Sequence, residues 1–106
     1  MAKYLLRASY TAEGIRGVLK DGGSARRSAA QKAIEAVGGK LEAFYFAFGA
    51  DDAYVIAEVP DHATAAAVSM VVSASGAVRV QTVVLLTPEE IDRAAKISVP
   101  YRPPGA

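Results

Sequence analysis

The stretch Leu41-Glu42-Ala43-Phe44-Tyr45-Phe46-Ala47-Phe48-Gly49-Ala50-Asp51-Asp52-Ala53-Tyr54-Val55-Ile56-Ala57-Glu58-Val59-Pro60-Asp61 decides how the rest of the chain folds. It reads as a β-hairpin: two runs rich in aromatic and β-branched residues, a turn around Gly49 to Asp51, Pro60 ending the second strand and Asp61 opening a helix. In the first run Leu41, Ala43, Tyr45 and Ala47 alternate with Glu42, Phe44, Phe46 and Phe48, so neither face is clearly polar. A strand apolar on both sides needs cover on both sides. One layer of helices covers one face of a small sheet, so the other is expected to meet a second subunit or a ligand. In the second run Ala53, Val55, Ala57 and Val59 suit the helix layer, which sends Asp52, Tyr54, Ile56 and Glu58 to the open face. Which face of the first run joins them depends on the loop length, because a shift of one residue exchanges the faces.

Outward from the hairpin, Lys3 to Ser9 reads as a strand with Tyr4, Leu6 and Ala8 on one face and Lys3, Leu5, Arg7 and Ser9 on the other. Thr11 is placed to cap a short helix carrying Ile15, Val18 and Leu19. Gly14 and Gly17 weaken that helix and are expected to mark a close backbone approach or an irregular turn. Asp21-Gly22-Gly23 breaks it. Ser24 then caps a second helix whose stripe is Ala30, Ala33, Ile34 and Val37, ended by Gly38-Gly39. Beyond the hairpin, Asp61 caps a helix with Ala63, Ala66, Ala67, Met70 and Ala74 on its expected buried stripe. Val78 to Leu86 is the fourth strand, with Arg79, Gln81, Val83 and Leu85 on its open side. Thr87-Pro88-Glu89-Glu90 combines an N-cap, a proline at the first helical position and a glutamate three residues after the cap. That helix carries Ile91, Ala94 and Ala95, and residues 98–106 form an extended, proline-rich tail after a single domain spanning 1–97.

The order β, split α, β, β, α, β, α with right-handed crossovers gives an α+β, ferredoxin-like βαββαβ fold: an antiparallel four-stranded sheet with its helices on one face and an extra C-terminal helix. At 106 residues, with 52% hydrophobic and 22% charged residues, the chain suits one domain with one core. It has no cysteine, which excludes thiolate catalysis, disulfides and cysteine-bound metal centres and fits a cytoplasmic setting. The apolar pair between Lys3 and Arg7 is too short for a signal-peptide core, and no segment approaches a membrane span. A net charge of +1 supplies no field for nucleic acid or anionic lipid. The expected partners are therefore copies of the same chain and a small molecule, with neither nucleic acid nor membrane.

The open face would gather Arg7, Tyr54, Glu58, Arg79 and Gln81 among aliphatic neighbours. On a functional view they form an anion or carboxylate pocket, with an arginine binding the substrate, Glu58 as base and Tyr54 as donor. On a structural view an arginine and Glu58 satisfy each other beneath a partner subunit, or the face is solvated. His62 is the only histidine and is expected to be an exposed first-turn residue. Asp51 and Asp52 are read as turn formers that bond their own backbone rather than as ligands of a divalent cation, so no metal is expected. Gly22-Gly23-Ser24 before Arg26-Arg27 lacks the lysine and placement of a phosphate loop and reads as a helix break.

Several stretches together resemble the GYD-domain family of small bacterial and archaeal proteins. They are Y-T-A-E-G-I-R at 10–16, G-G-K-L-E-A-F-Y-F at 38–46, F-G-A-D-D-A-Y-V-I-A-E-V-P-D at 48–61 and L-L-T-P-E-E-I-D at 85–92, which together span nearly the whole chain. The family is named for a Gly, Tyr, Asp signature in the hairpin turn. Gly49 and Asp52 match it, while Asp51 stands where the tyrosine is expected. The resemblance implies a ferredoxin-like domain of the type that pairs sheets into dimeric α+β barrels, with no settled activity and no cofactor. The function it leaves open is an oligomeric assembly or small-molecule-binding module using the open sheet face. The alternative is a cofactor-independent enzyme, isomerase-like or monooxygenase-like, with Tyr54, Glu58 and an arginine in its pocket.

Overall fold

The computed structural model describes residues 1–106. Its elements are β1 (Ala2–Tyr10), α1 (Ala12–Asp21), α2 (Gly23–Ala36), β2 (Lys40–Phe46), β3 (Ala53–Val59), α3 (His62–Ala74), β4 (Val78–Leu85) and α4 (Pro88–Ala95). The four strands form one antiparallel sheet in the order β2-β3-β1-β4, the ferredoxin-like arrangement expected from the element order. α2 lies against β2 and α3 against β4 on one face. No helix is long and apolar enough to cross a membrane.

The alternation in β1, β3 and β4 predicts the faces correctly. Tyr4, Ala8, Ala53, Val55, Ala57, Val59 and Val78 are buried beneath the helices, and Leu5, Ile56 and Val83 share the opposite face. β2 needed the structure. Its register slips between Leu41 and Ala43, so Leu41 joins Phe44 and Phe46 on the helix side while Ala43 and Tyr45 take the open side. Glu42 is the extra residue of this bulge.

The caps are local chemistry. Thr11 accepts from Gly14 N and caps α1, and Thr87 with Glu90 forms a complete capping box on α4. At the end of α2, Gly38 N donates to Glu35 O and Gly39 N to Ile34 O, with Gly38 at φ +82°, a full Schellman motif. Ser24 does not cap α2: the helix starts two residues earlier than that cap would set it, at Gly23, with Gly22 as N-cap and no side-chain bond. A Cβ on Gly14 would lie 2.0 Å from Ala77 O, so this glycine does mark a close approach of α1 to the segment before β4. Gly17 does not, since nothing lies within 4 Å of it.

One helix face differs from expectation. α3 buries Ala65 and half-buries Val68, Ser69 and Val72, whereas Met70 is 66% exposed. This helix is apolar nearly all round, so periodicity could not select a stripe. Of the three large apolar residues that α1 carries, Ile15 and Val18 are half-buried and Leu19 is exposed.

Only 11 of 106 residues are buried, because the sheet is covered on one side and the C-terminal arm stands away from it. α4 buries no residue, and Ile91, Ile97, Val99 and Tyr101 are exposed. The radius of gyration is 16.9 Å, against about 13 Å for a compact chain of this length, and the long axis is 56 Å.

Candidate functional site

The uncovered face of the sheet has an apolar middle and charged ends. Across the middle, Leu5 stands between Ile56 and Val83, and Tyr45 faces Tyr54. At the end nearest the hairpin loop, Arg7 pairs in register with Tyr54 on one side and Gln81 on the other, and Ser9 pairs with Arg79. Alternation puts all of these side chains on one surface.

The hairpin loop completes this end of the face. Ala47 N donates to Asp52 O and Gly49 N to Asp51 O, and the left-handed residue in the turn is Phe48, at φ +58°, rather than a glycine. Its ring stacks on Phe46 at 5.9 Å between centroids. Expected to bond their own turn, the two aspartates are instead spent on β1. Arg7 Nε donates to Asp51 Oδ2 at 2.8 Å, and Tyr10 N donates to Asp52 Oδ2 at 2.8 Å, while Asp52 N donates to Ala8 O. Asp51 is 5% exposed. The carboxylate at the signature tyrosine position is therefore an ion-pair partner for an arginine of the open face. The sequence reading missed this role, because the two residues are 44 apart and only the folded loop brings them together.

Arg7, Arg79 and Gln81 converge with Ser9 and Asp51 on a polar depression of about 270 Å³. Three of the five candidate residues thus meet. Tyr54 lies beside Arg7 in register but does not line the depression. Glu58 is elsewhere: it faces Lys3 on one side and Lys40 on the other, four residues along β3 from Tyr54, or about 13 Å. Within one chain, Glu58 therefore meets lysines and not Arg7 or Arg79. Antiparallel pairing sets the end of β3 against the start of β1, where the cation is lysine. Lys3 itself bonds Glu42 at 3.1 Å, the residue that the bulge adds.

In electrostatic terms, Asp51 neutralises Arg7, and Arg79 enters neither of the chain's two salt bridges. The depression holds one unpaired guanidinium beside an amide and a hydroxyl, a donor set suited to a carboxylate or phosphate oxygen. No three His, Cys, Asp or Glu side chains come together as a metal-binding set. His62 lies on the helix side of the sheet. Its ring is exposed, as expected, but Nδ1 is hydrogen-bonded to the hydroxyl of buried Tyr4, which gives that phenol its partner. Gly22 alone forms the break between α1 and α2, at φ +84°, and Gly23 opens α2.

An antiparallel sheet of this order, helices on one face and a loop whose aspartates tie it to β1 define the class to which the sequence points. The chain belongs to the GYD domain family, whose pattern it matches over residues 4–95. No curated protein and no solved structure matches it.

Proposed function

We propose that this GYD domain is a homo-oligomeric assembly module whose open sheet faces cover one another and enclose a site for a small anionic molecule at Arg7, Arg79 and Gln81. The observation that carries this reading is the open face itself. Leu5, Ile56, Val83 and Tyr45 form a continuous apolar centre, with Tyr45 71% exposed, between a Lys3, Lys40, Glu42 and Glu58 end and an Arg7, Asp51 and Arg79 end. A patch with both signs at its rim and an apolar centre can meet its own copy about a two-fold axis. A monomer leaves that centre in water, at a cost of about 25 cal/mol for each Å² of apolar surface. The absence of cysteine agrees with a cytoplasmic setting for such an assembly.

Light scattering on the full chain tests the assembly. The expected mass at micromolar concentration is a multiple of 11.0 kDa, and Leu5→Asp, which places a charge at the centre of the face, returns it to one chain. A parent protein that scatters as a single chain would overturn the proposal. The enzyme alternative draws no support from the geometry, since its intended base, Glu58, is remote from both arginines.

A further inference from the structure

The helix side of the sheet holds a second feature. The buried residues form two separate clusters, one around Tyr4, Ile34, Ala57, Val59 and Ala65 and the other around Ala8, Ala53 and Val78. Between them lies a cavity of about 130 Å³, floored by β1 and β3 and walled by α2 and α3. Its cause is visible in the sequence: α2 presents Arg26, Ala29, Ala30 and Ala33 at i, i+3, i+4 and i+7, one stripe. Three methyl groups cannot reach Val68 and Val72 on α3. Ala29 and Ala33 are also exposed, so the space opens beside α2.

Fourteen of the sixteen lining residues are hydrophobic, and none is acidic. The one charged group is Arg26. Its Nε is buried and has no hydrogen-bond partner, and its guanidinium enters neither salt bridge. An unpaired buried donor is rare enough in folded proteins to call for a partner. The apolar walls suit a guest with a hydrocarbon body about as large as benzene that carries its own acceptor to the guanidinium.

We propose that this cavity binds a small apolar carboxylate, of the size of an arylacetate or a short branched-chain acid, with its hydrocarbon part between α2 and α3 and one carboxylate oxygen accepting from Arg26 Nε. The site lies within one subunit and on the covered side of the sheet. It does not depend on the open-face assembly, and open-face variants retain it.

The test is titration of the full-length protein with phenylacetate and with 4-methylpentanoate, followed by nuclear magnetic resonance of the arginine Nε–H and the valine methyl groups. The expected result is a saturable shift of the Arg26 Nε–H together with the methyls of Val55, Val68 and Val72; which of the two acids binds more tightly distinguishes an aromatic from a branched guest. Ala30→Leu, which fills the cavity with an apolar side chain and keeps the helix, abolishes binding. Arg26→Met keeps the apolar stem and weakens the acids about tenfold, while leaving the neutral phenylacetamide unchanged. Absence of any saturable shift at millimolar acid overturns the proposal, as does binding that survives Ala30→Leu. An equal loss of acid and amide on Arg26→Met overturns the role given to the guanidinium.

Discussion

Asp51 shows what one side chain does in this fold. It is nearly fully buried, and the arginine that it holds is partly exposed, with side-chain exposures of 7% and 37%. Such a pair lies between the exposed case, worth at most about 1 kcal/mol, and the buried case, whose disruption costs about 3 to 5. Asp51→Ala is expected to destabilise the chain by about 2 kcal/mol in urea unfolding, because it strips Arg7 of its partner and removes one of the three bonds that tie the loop to β1. Glu58→Gln is expected to change stability by less than about 0.5 kcal/mol, since Glu58 is partly exposed and its neighbours in register are lysines rather than arginines. A larger effect for Glu58 than for Asp51 in the same measurement would reverse this ranking. The sequence made Arg7, Arg79 and Gln81 legible as neighbours because each sits at an alternating position of a strand. Asp51 was not legible as their partner, since its placement depends on a loop in which Phe48 takes a conformation that residue type seldom adopts.

At the scale of elements, what the sequence disclosed follows the physics of each segment. β1, β3 and β4 alternate cleanly, and their faces can be read. The bulge at Glu42 in β2 and the all-round apolar character of α3 each remove the periodicity on which such a reading rests. Helix starts were legible wherever a side chain supplies the cap, as at Thr11, Asp61 and Thr87, and not at α2, whose N-cap is a bare Gly22. Two of these caps carry a pH dependence. The Thr64 side-chain and backbone donors hold the Asp61 carboxyl below its ordinary value of 3.8, and the Thr87 backbone N–H does the same for Glu90 relative to 4.5. A carboxylate whose folded value is depressed stabilises the fold above the unfolded value and loses that contribution as the pH falls through the folded one. The N-terminal turns of α3 and α4 should therefore loosen only below about pH 4. Carboxyl-carbon resonances followed from pH 7 to 2 should give midpoints below 3.8 for Asp61 and below 4.5 for Glu90, and ordinary midpoints would show that the caps are not formed in solution.

For the whole molecule, a sheet with one bare face and an arm that buries none of its residues leave much apolar surface outside the core. The arm adds little to the stability of a single chain, because none of its large apolar side chains is buried. Removal of residues 97–106 is expected to shift the unfolding free energy of the monomeric Leu5→Asp chain by less than about 0.5 kcal/mol. A larger loss in that background would mean that the arm folds back onto its own subunit. The overall architecture was legible in the order of elements, but the projection of the arm was not, since a capping box announces where a helix starts and says nothing of where it points. That projection has a hydrodynamic consequence. Drag on a particle follows its outline rather than its mass, and a body 56 Å long and 22 Å thick diffuses more slowly than a sphere of equal weight. On a gel-filtration column calibrated with round standards, a lone chain will elute early and pass for something heavier. Its apparent size should shrink on trimming the arm by more than the ten lost residues weigh.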